Sequence, residues 1–351
     1  MADPIPQLKR VLVRATNWVG DAVMSLPALR AIRARFPDAH IAVLALPWVA
    51  DLYGREPFCD EVIPYTAVRG ARDWQGKWKL AQELRAREFE AAILLQNAFE
   101  AAFVAWLAGI PLRIGYSRDG RGPLLTHRVA VPHKGEIPRH ESFYYLELLR
   151  RAGLYAGELP GEALIRLDGA GAAREAGLAL LAKKGVVGPV IAVSPGAAYG
   201  TAKRWLPERF AEAAALVVKE KHTSVILFGT KEERALCEIV QSYLGSFGVS
   251  ALNFAGETTL GEFVEMTAAS LLSLTNDSGA MHISSALGVP TVTVFGATDD
   301  VATGPTGPLA RVVREPVFCS PCLLRDCPID HRCMTEVQAS RVAQTALELL
   351  Q

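Results

Sequence analysis

No apolar run among the 351 residues reaches the ~18 positions a helix needs to cross a bilayer. The most apolar stretch, residues 101–111, is too short and reads as a buried helix. The N-terminus, Met1-Ala2-Asp3-Pro4-Ile5-Pro6, lacks the charged and then apolar run of a signal peptide. A cytoplasmic location is therefore expected, with peripheral contact to a membrane surface left open. There is no excess of either charge: 37 basic residues stand against 37 acidic ones, which argues against nucleic acid as a partner. No G-x-G-x-x-G follows the first strand, which weakens a dehydrogenase reading, and the P-loop spacing G-x-x-x-x-G-K-S/T is missing.

Cysteine is sparse but clustered. Of six, Cys319, Cys322, Cys327 and Cys333 fall together as C-x2-C-x4-C-x5-C. In a reducing compartment such a cluster points to structural zinc more than to disulfides, with His331 as a substitute ligand. The competing reading, reduced thiols packed in a proline-rich loop, is favoured, so no metal is assigned.

What is present is a repeating strand–turn–helix pattern. Half of the residues are apolar, enough for two buried cores in a chain of this length. The chain is organised around residues 274–296: a buried strand end, the polar turn Asn276-Asp277-Ser278-Gly279, a short helix holding His282, and another buried strand. In a parallel α/β sheet, ligands sit at such a turn, beside a helix N-terminus whose amides attract anions. The bland alternative is that Asp277 or Ser278 merely caps the helix.

In the first half, residues 10–14 read as a strand and 22–36 as a helix, with Asp21 at its entrance as either an N-cap or a base. A helix at 49–55 and a charged helix at 69–90 are expected. The latter carries Trp74 and Trp78 four apart on a basic segment. Such a face can lie on an anionic bilayer, but a solvated face with inward tryptophans is the preferred reading. Residues 117–128, with Arg113 just before them, form the densest cationic loop of this half, suited to an anionic substrate through Arg113, Arg118 and Arg121. A strand is placed at 129–132. The glycine- and proline-rich stretch 153–171 marks the boundary between domains 1–170 and 171–351.

The second half restarts the pattern. After the strand 189–194 comes a loop with Gly196, Gly200, Thr201, Lys203 and Arg204, phosphate-holding chemistry ahead of a helix. Glu232 and Glu233 follow the next strand, where a carboxylate can accept both hydroxyls of a ribose. First-turn acids favouring the helix dipole are the structural alternative. After residue 296 only a Gly/Pro loop, the cysteines and a closing helix are expected.

Arg14-Ala15-Thr16-Asn17-Trp18-Val19-Gly20-Asp21, Pro195-Gly196-Ala197, Ala202-Lys203-Arg204-Trp205 and Thr275-Asn276-Asp277-Ser278-Gly279-Ala280-Met281-His282 together resemble the bacterial lipopolysaccharide heptosyltransferases, glycosyltransferase family 9. The resemblance implies a GT-B fold: two Rossmann-like doubly wound domains facing a cleft, acceptor in the first and nucleotide sugar in the second. It implies ADP-L-glycero-β-D-manno-heptose as donor, no further cofactor, and a heptose on Kdo–lipid A as acceptor. The β donor and α product imply inversion. By the same resemblance Asp21 is the base and Lys203 steadies the diphosphate. Thr201, Glu232, Asp277, Ser278, Gly279 and His282 are expected to hold the donor, and Asn17 with the three arginines of the cationic loop the acceptor. No Asp-x-Asp occurs, so a metal-chelated diphosphate is not expected. A monomer is expected. Another GT-B nucleotide-sugar enzyme and a non-catalytic binding module remain as alternatives.

Overall fold

The structure is a computed structural model that describes residues 5–66 and 73–351. The chain divides into two compact units, Met1–Ala163 and Leu164–Gln351. The division falls inside the glycine- and proline-rich stretch, ahead of the position read from sequence. Residues 164–170 go with the second unit, where the Leu167 amide donates to the Ala286 carbonyl at 2.8 Å.

The first unit contains β1 (Arg10–Arg14), β2 (His40–Ala45), β3 (Glu61–Pro64), β4 (Ala91–Leu94), β5 (Leu112–Tyr116) and β6 (His127–Val129). All are parallel, in the order β3-β2-β1-β4-β5-β6. The second unit contains β7 (Val190–Ser194), β8 (Ser224–Leu227), β9 (Ala251–Asn253), β10 (Leu272–Asn276), β11 (Thr291–Val294) and β12 (Ala310–Val313). Its order, β12-β11-β10-β7-β8-β9, repeats that of the first unit. This is the Rossmann order, and in each unit the topology reverses beside the first strand: between β1 and β4, and between β7 and β10.

Parallel strands covered by helices on both faces are mainly apolar, and β1, β2, β4, β7 and β8 are, while β10 and β11 interleave buried Ser273, Thr275, Thr291 and Thr293 with Leu272, Leu274, Val292 and Val294. On β7 and β8, Ile191, Val193, Val225 and Leu227 enter one core with the helices Pro207–Lys221, Arg234–Ser246 and Ala339–Leu349. Their neighbours Val190, Ala192 and Ile226 enter a second core with Leu181 and Met266, from the helices Ala170–Lys183 and Leu260–Ala268. In the first unit Leu12, Leu44 and Leu94 pack under the helices Trp74–Arg85 and Phe99–Leu107. The alternating Val11, Val13, Val43 and Ile93 are buried on the opposite face.

Several expectations change. The helix read over 22–36 is two helices, Val19–Met24 and Leu26–Arg35. Ser25 joins them, its hydroxyl donating to the Ala22 carbonyl at 2.8 Å, and Pro27 sits in the first turn of the second, where its missing N–H is harmless. The helix at 49–55 shrinks to Pro47–Ala50. Of the helix read over 69–90, residues 69–72 lie outside the described residues and the rest forms Trp74–Arg85. The tryptophans do not turn inward: Trp74 is 54% and Trp78 46% exposed. The strand placed at 129–132 runs instead over His127–Val129, and β12 stands where a loop is expected, a short strand with Arg311 exposed.

Candidate functional site

In the second unit the candidate residues gather at the carboxyl ends of β7 and β10, the topological switch point. Asn276 ends β10 and is fully buried. Its Nδ2 donates to the Pro195 carbonyl at 2.7 Å, and its Oδ1 accepts from the Trp205 amide at 2.9 Å. One side-chain amide thus pins both ends of the loop 195–205 that follows β7. Between those ends Lys203 projects Nζ to 2.6 Å from Asp277 Oδ2, the lysine side chain 13% and the aspartate 4% exposed. The Thr298 hydroxyl donates to the same Oδ2. Lys203 Nζ also lies 5.0 Å from the Tyr199 ring centre, within cation–π range.

Neither Asp277 nor Ser278 caps the helix Gly279–Ala286. Ser278 is at the N-cap position in extended conformation, but its side chain makes no cap bond, and its Oγ is buried without a partner. Asp277 is spent on Lys203 and Thr298. A helix start left uncapped by its own side chains, with a buried hydroxyl unpaired and a cation alongside, has the makings of an anion site. His282 is buried in the second turn of this helix. Gly279 opens it.

Glu232 and Glu233 separate cleanly. Glu233 closes a capping box with Thr230, whose amide donates to Glu233 Oε2 at 2.9 Å. Its carboxyl also fills the space beside Gly196, where a Cβ would come within 2.2 Å of it. Glu232 is exposed beyond the end of β8, its carboxyl held below the usual range by hydrogen bonds to its own backbone amide and to Thr230. Of the two, Glu232 is the one left exposed rather than spent on the capping box.

The cysteine segment folds back on the Lys203 loop. The Ala202 amide donates to the Arg325 carbonyl at 2.9 Å, and the Tyr199 hydroxyl to the Leu323 carbonyl at 3.0 Å. The Thr201 hydroxyl donates to Asp326 Oδ1 at 2.6 Å, and His331 Nε2 lies 3.1 Å from the Ala202 carbonyl. The thiols are free. That of Cys333 is pushed up to about 11 by burial first and then by Cys319, Cys327 and Cys322. Among the described residues no group of three His, Cys, Asp or Glu is placed to hold a metal. Gly200 allows the close approach, since a Cβ there would come 2.2 Å from the Arg325 carbonyl oxygen. Gly200→Ala is expected to push the loop off the segment and weaken nucleotide binding at least about tenfold. Calorimetric titration with ADP checks it; unchanged affinity would mean the loop tolerates the displacement.

In the first unit Asp21 lies in the first turn of Val19–Met24, whose N-cap is Trp18, so Asp21 is not the cap. It is half-buried. The Glu141 carboxyl is pushed up, chiefly by partial desolvation and then by the Asp21 charge. Two carboxylates in one field form a site inclined to take a proton. Arg118 is exposed, its guanidinium donating to the Tyr144 hydroxyl at 3.2 Å, and Asn97 Nδ2 donates to that hydroxyl at 3.1 Å.

The other two arginines are engaged by the fold. Arg121 is fully buried, donating to the Tyr116 carbonyl at 2.8 Å, to Asn97 Oδ1 at 3.0 Å and to the Gln96 carbonyl. Burial pulls it down to about 10. Arg113 donates to the Leu124 carbonyl at 2.7 Å and to the Ile110 carbonyl. Both knit the loops after β4 and β5 together, because unpaired backbone carbonyls there need donors. Asn17 Oδ1 accepts from the buried Arg14 at 2.8 Å, and Asn17 lines a cavity of about 230 Å³ at the carboxyl ends of β1, β2 and β4. Trp18, Trp48 and Lys77 share that lining. Sequence reasoning missed Tyr199, which stands inside the Lys203 loop, Thr298, which lies just past the organising stretch, and Glu141 and Tyr144, which carry no local pattern.

The sequence profile of glycosyltransferase family 9 (heptosyltransferase) matches residues 77–332. The chain belongs to that family. The Escherichia coli lipopolysaccharide heptosyltransferase 2 is 34% identical over 310 residues, covering 87% of this chain and 88% of its own. A lipooligosaccharide heptosyltransferase 2 of Campylobacter jejuni is 25% identical over 97% of this chain and 99% of its own. The solved structure of the E. coli ADP-heptose LPS heptosyltransferase II superposes with a TM-score of 0.82 at 30% identity, covering 97% and 98% of the two chains. The two doubly wound sheets of this family-9 chain are thus the GT-B fold class, as the resemblance implied.

Proposed function

We propose that the chain transfers L-glycero-D-manno-heptose from ADP-heptose to the first heptose of the lipopolysaccharide inner core, with inversion and without a metal. The observation that carries this is the Lys203–Asp277 pair beside the uncapped helix start with its orphaned Ser278 hydroxyl. The names of the similar proteins, a lipopolysaccharide heptosyltransferase 2 and an ADP-heptose LPS heptosyltransferase II, support ADP-heptose as donor and a lipopolysaccharide core as acceptor.

In the first unit, Asp21 takes the proton from the acceptor hydroxyl. The oxygen forms its bond to the anomeric carbon as the bond from that carbon to the phosphate oxygen breaks. ADP departs with the electron pair. In the second unit, Lys203 and the amides at Ser278 and Gly279 receive the diphosphate charge in place of a cation. Asp277 orients Lys203 and meets heptose hydroxyls, with His282 behind it. Glu232 accepts the ribose hydroxyls, while Thr201 holds the loop through Asp326. Arg118 and Asn17 meet the acceptor's anionic groups and hydroxyls. No cofactor beyond the donor is needed. The protein works as a monomer in the cytoplasm, at the face of the membrane that presents the acceptor.

Incubation with ADP-heptose and Kdo–lipid A bearing one heptose, read by mass spectrometry, tests the reading. A gain of one heptosyl unit is expected, and UDP-sugars are expected to give none. A gain from UDP-sugars alone would overturn the donor.

A further inference from the structure

The chemistry above leaves unused a cation that the cysteine segment carries to the Lys203 loop. Tyr199 faces two positive groups at once: Lys203 Nζ lies 5.0 Å and Arg325 Cζ 5.3 Å from its ring centre, both within cation–π range. The backbone fixes this arrangement. The Arg325 carbonyl accepts from the Ala202 amide at 2.9 Å, and the Tyr199 hydroxyl donates to the Leu323 carbonyl at 3.0 Å. Residues 323–325 therefore lie against residues 199–202, and the Arg325 side chain is brought over the ring beside Lys203.

The charges around the ring are not matched one for one. Lys203 has Asp277 at 2.6 Å. Farther along the segment, Arg332 has Asp330 at 2.7 Å. Arg204 is turned away to the Ala197 carbonyl at 3.4 Å. Asp326, the chain neighbour of Arg325, accepts the Thr201 hydroxyl at 2.6 Å. Arg325 itself is exposed, and among the described residues its guanidinium makes no hydrogen bond and no ion pair. A ring attracts a guanidinium through its charge and leaves the N–H donors for other acceptors. Two cations gathered at one ring repel each other, and an anion held by both relieves that repulsion. The planar fork of an arginine matches two phosphate oxygens, while a lysine meets one.

We infer that Arg325 is a second diphosphate-binding cation, seated on Tyr199 and acting with Lys203 on the phosphate groups of the nucleotide. The inference rests on the proposed function in that it takes the ligand of the Lys203 loop to be a nucleoside diphosphate.

The test is calorimetric titration of the full chain with ADP and with UDP. Arg325→Gln is expected to lower ADP affinity at least about tenfold. The difference from the wild type should shrink as salt is raised, since a charge contact at an exposed site is screened. Arg325→Lys, which keeps the charge without the fork, should recover part of the loss. Arg332→Gln, the same change at a paired arginine of the same segment, should leave ADP affinity near the wild-type value. The segment is held to the loop by the Arg325 backbone, so Arg325→Gln should keep the wild-type melting curve. Unchanged ADP affinity in Arg325→Gln would overturn the inference. So would a loss that neither salt nor Arg325→Lys lessens, the mark of a displaced loop, or an equal loss in Arg332→Gln, the mark of a diffuse field. A wild type that binds UDP in preference to ADP would overturn the donor reading, and a comparable loss of UDP affinity in Arg325→Gln would then support the inference by itself.

Discussion

Asp21→Ala is expected to abolish heptosyl transfer while ADP still binds. A positioned general base contributes roughly 10²–10⁴-fold to rate, and an inverting displacement has no covalent intermediate to fall back on. Asp21 sits in the first turn of a short helix without capping it, where its charge is worth about 0.3–1 kcal/mol of favourable dipole interaction. The variant should therefore fold, and its melting curve should stay near that of the wild type. Single-turnover assays with saturating donor read the chemical step directly. Glu141, whose carboxyl is pushed up partly by Asp21, shares its field and is the substitute to test. If Asp21→Ala retains transfer and Asp21→Ala with Glu141→Gln does not, the base is Glu141. If both retain it, neither carboxylate is the base.

Lys203→Ala is expected to weaken ADP binding by about 10- to 100-fold, the worth of one charge-assisted hydrogen bond. A second effect adds to the first. Lys203 Nζ is 2.6 Å from Asp277 Oδ2, and that carboxylate is buried. Without the lysine, Asp277 is an uncompensated negative charge at the place meant for a diphosphate. Lys203→Ala with Asp277→Asn should consequently bind ADP more tightly than Lys203→Ala alone, even though it lacks one more polar group. Calorimetric titration of the three variants measures this. Unchanged ADP affinity in Lys203→Ala would remove the phosphate role. A double variant weaker than the single one would mean that Asp277 contributes to ADP binding on its own account.

The sheets were legible from residues alone because parallel strands buried on both faces have to be continuous apolar runs. Residues 10–14, 41–46, 189–194 and 224–229 could be little else. The turns after them were legible for a related reason: Asn, Asp, Ser, Gly and Lys crowded between a buried strand and a helix start have no use in a core. Asn17, Asp21, Lys203, Glu232 and Asp277 therefore stood out, each after a strand end. The family resemblance added an ordering of those turns that composition could not supply.

What the chain's linear pattern left open was which side chains are spent on the fold. Arg113, Arg118 and Arg121 are alike in sequence, a basic group in a glycine-rich loop. Folded, Arg121 is sealed among backbone carbonyls while Arg118 remains in solvent, because only one can fill the gap beside Gly115 under the loop after β4. Glu232 and Glu233 differ by one position, yet a single turn of 3-10 helix puts one in a capping box and the other in water. Trp74 and Trp78 read from their spacing as turned inward, yet Trp74 packs on Phe103 and both stay about half exposed. By itself the sequence determined the two sheets, their polar strand ends and the chemistry those ends can perform. Burial and hydrogen-bond partners, which depend on segments more than a hundred residues apart such as 199–202 and 323–331, decided which of the eligible groups remain for a ligand, since a polar group engaged by the backbone is no longer available to a substrate.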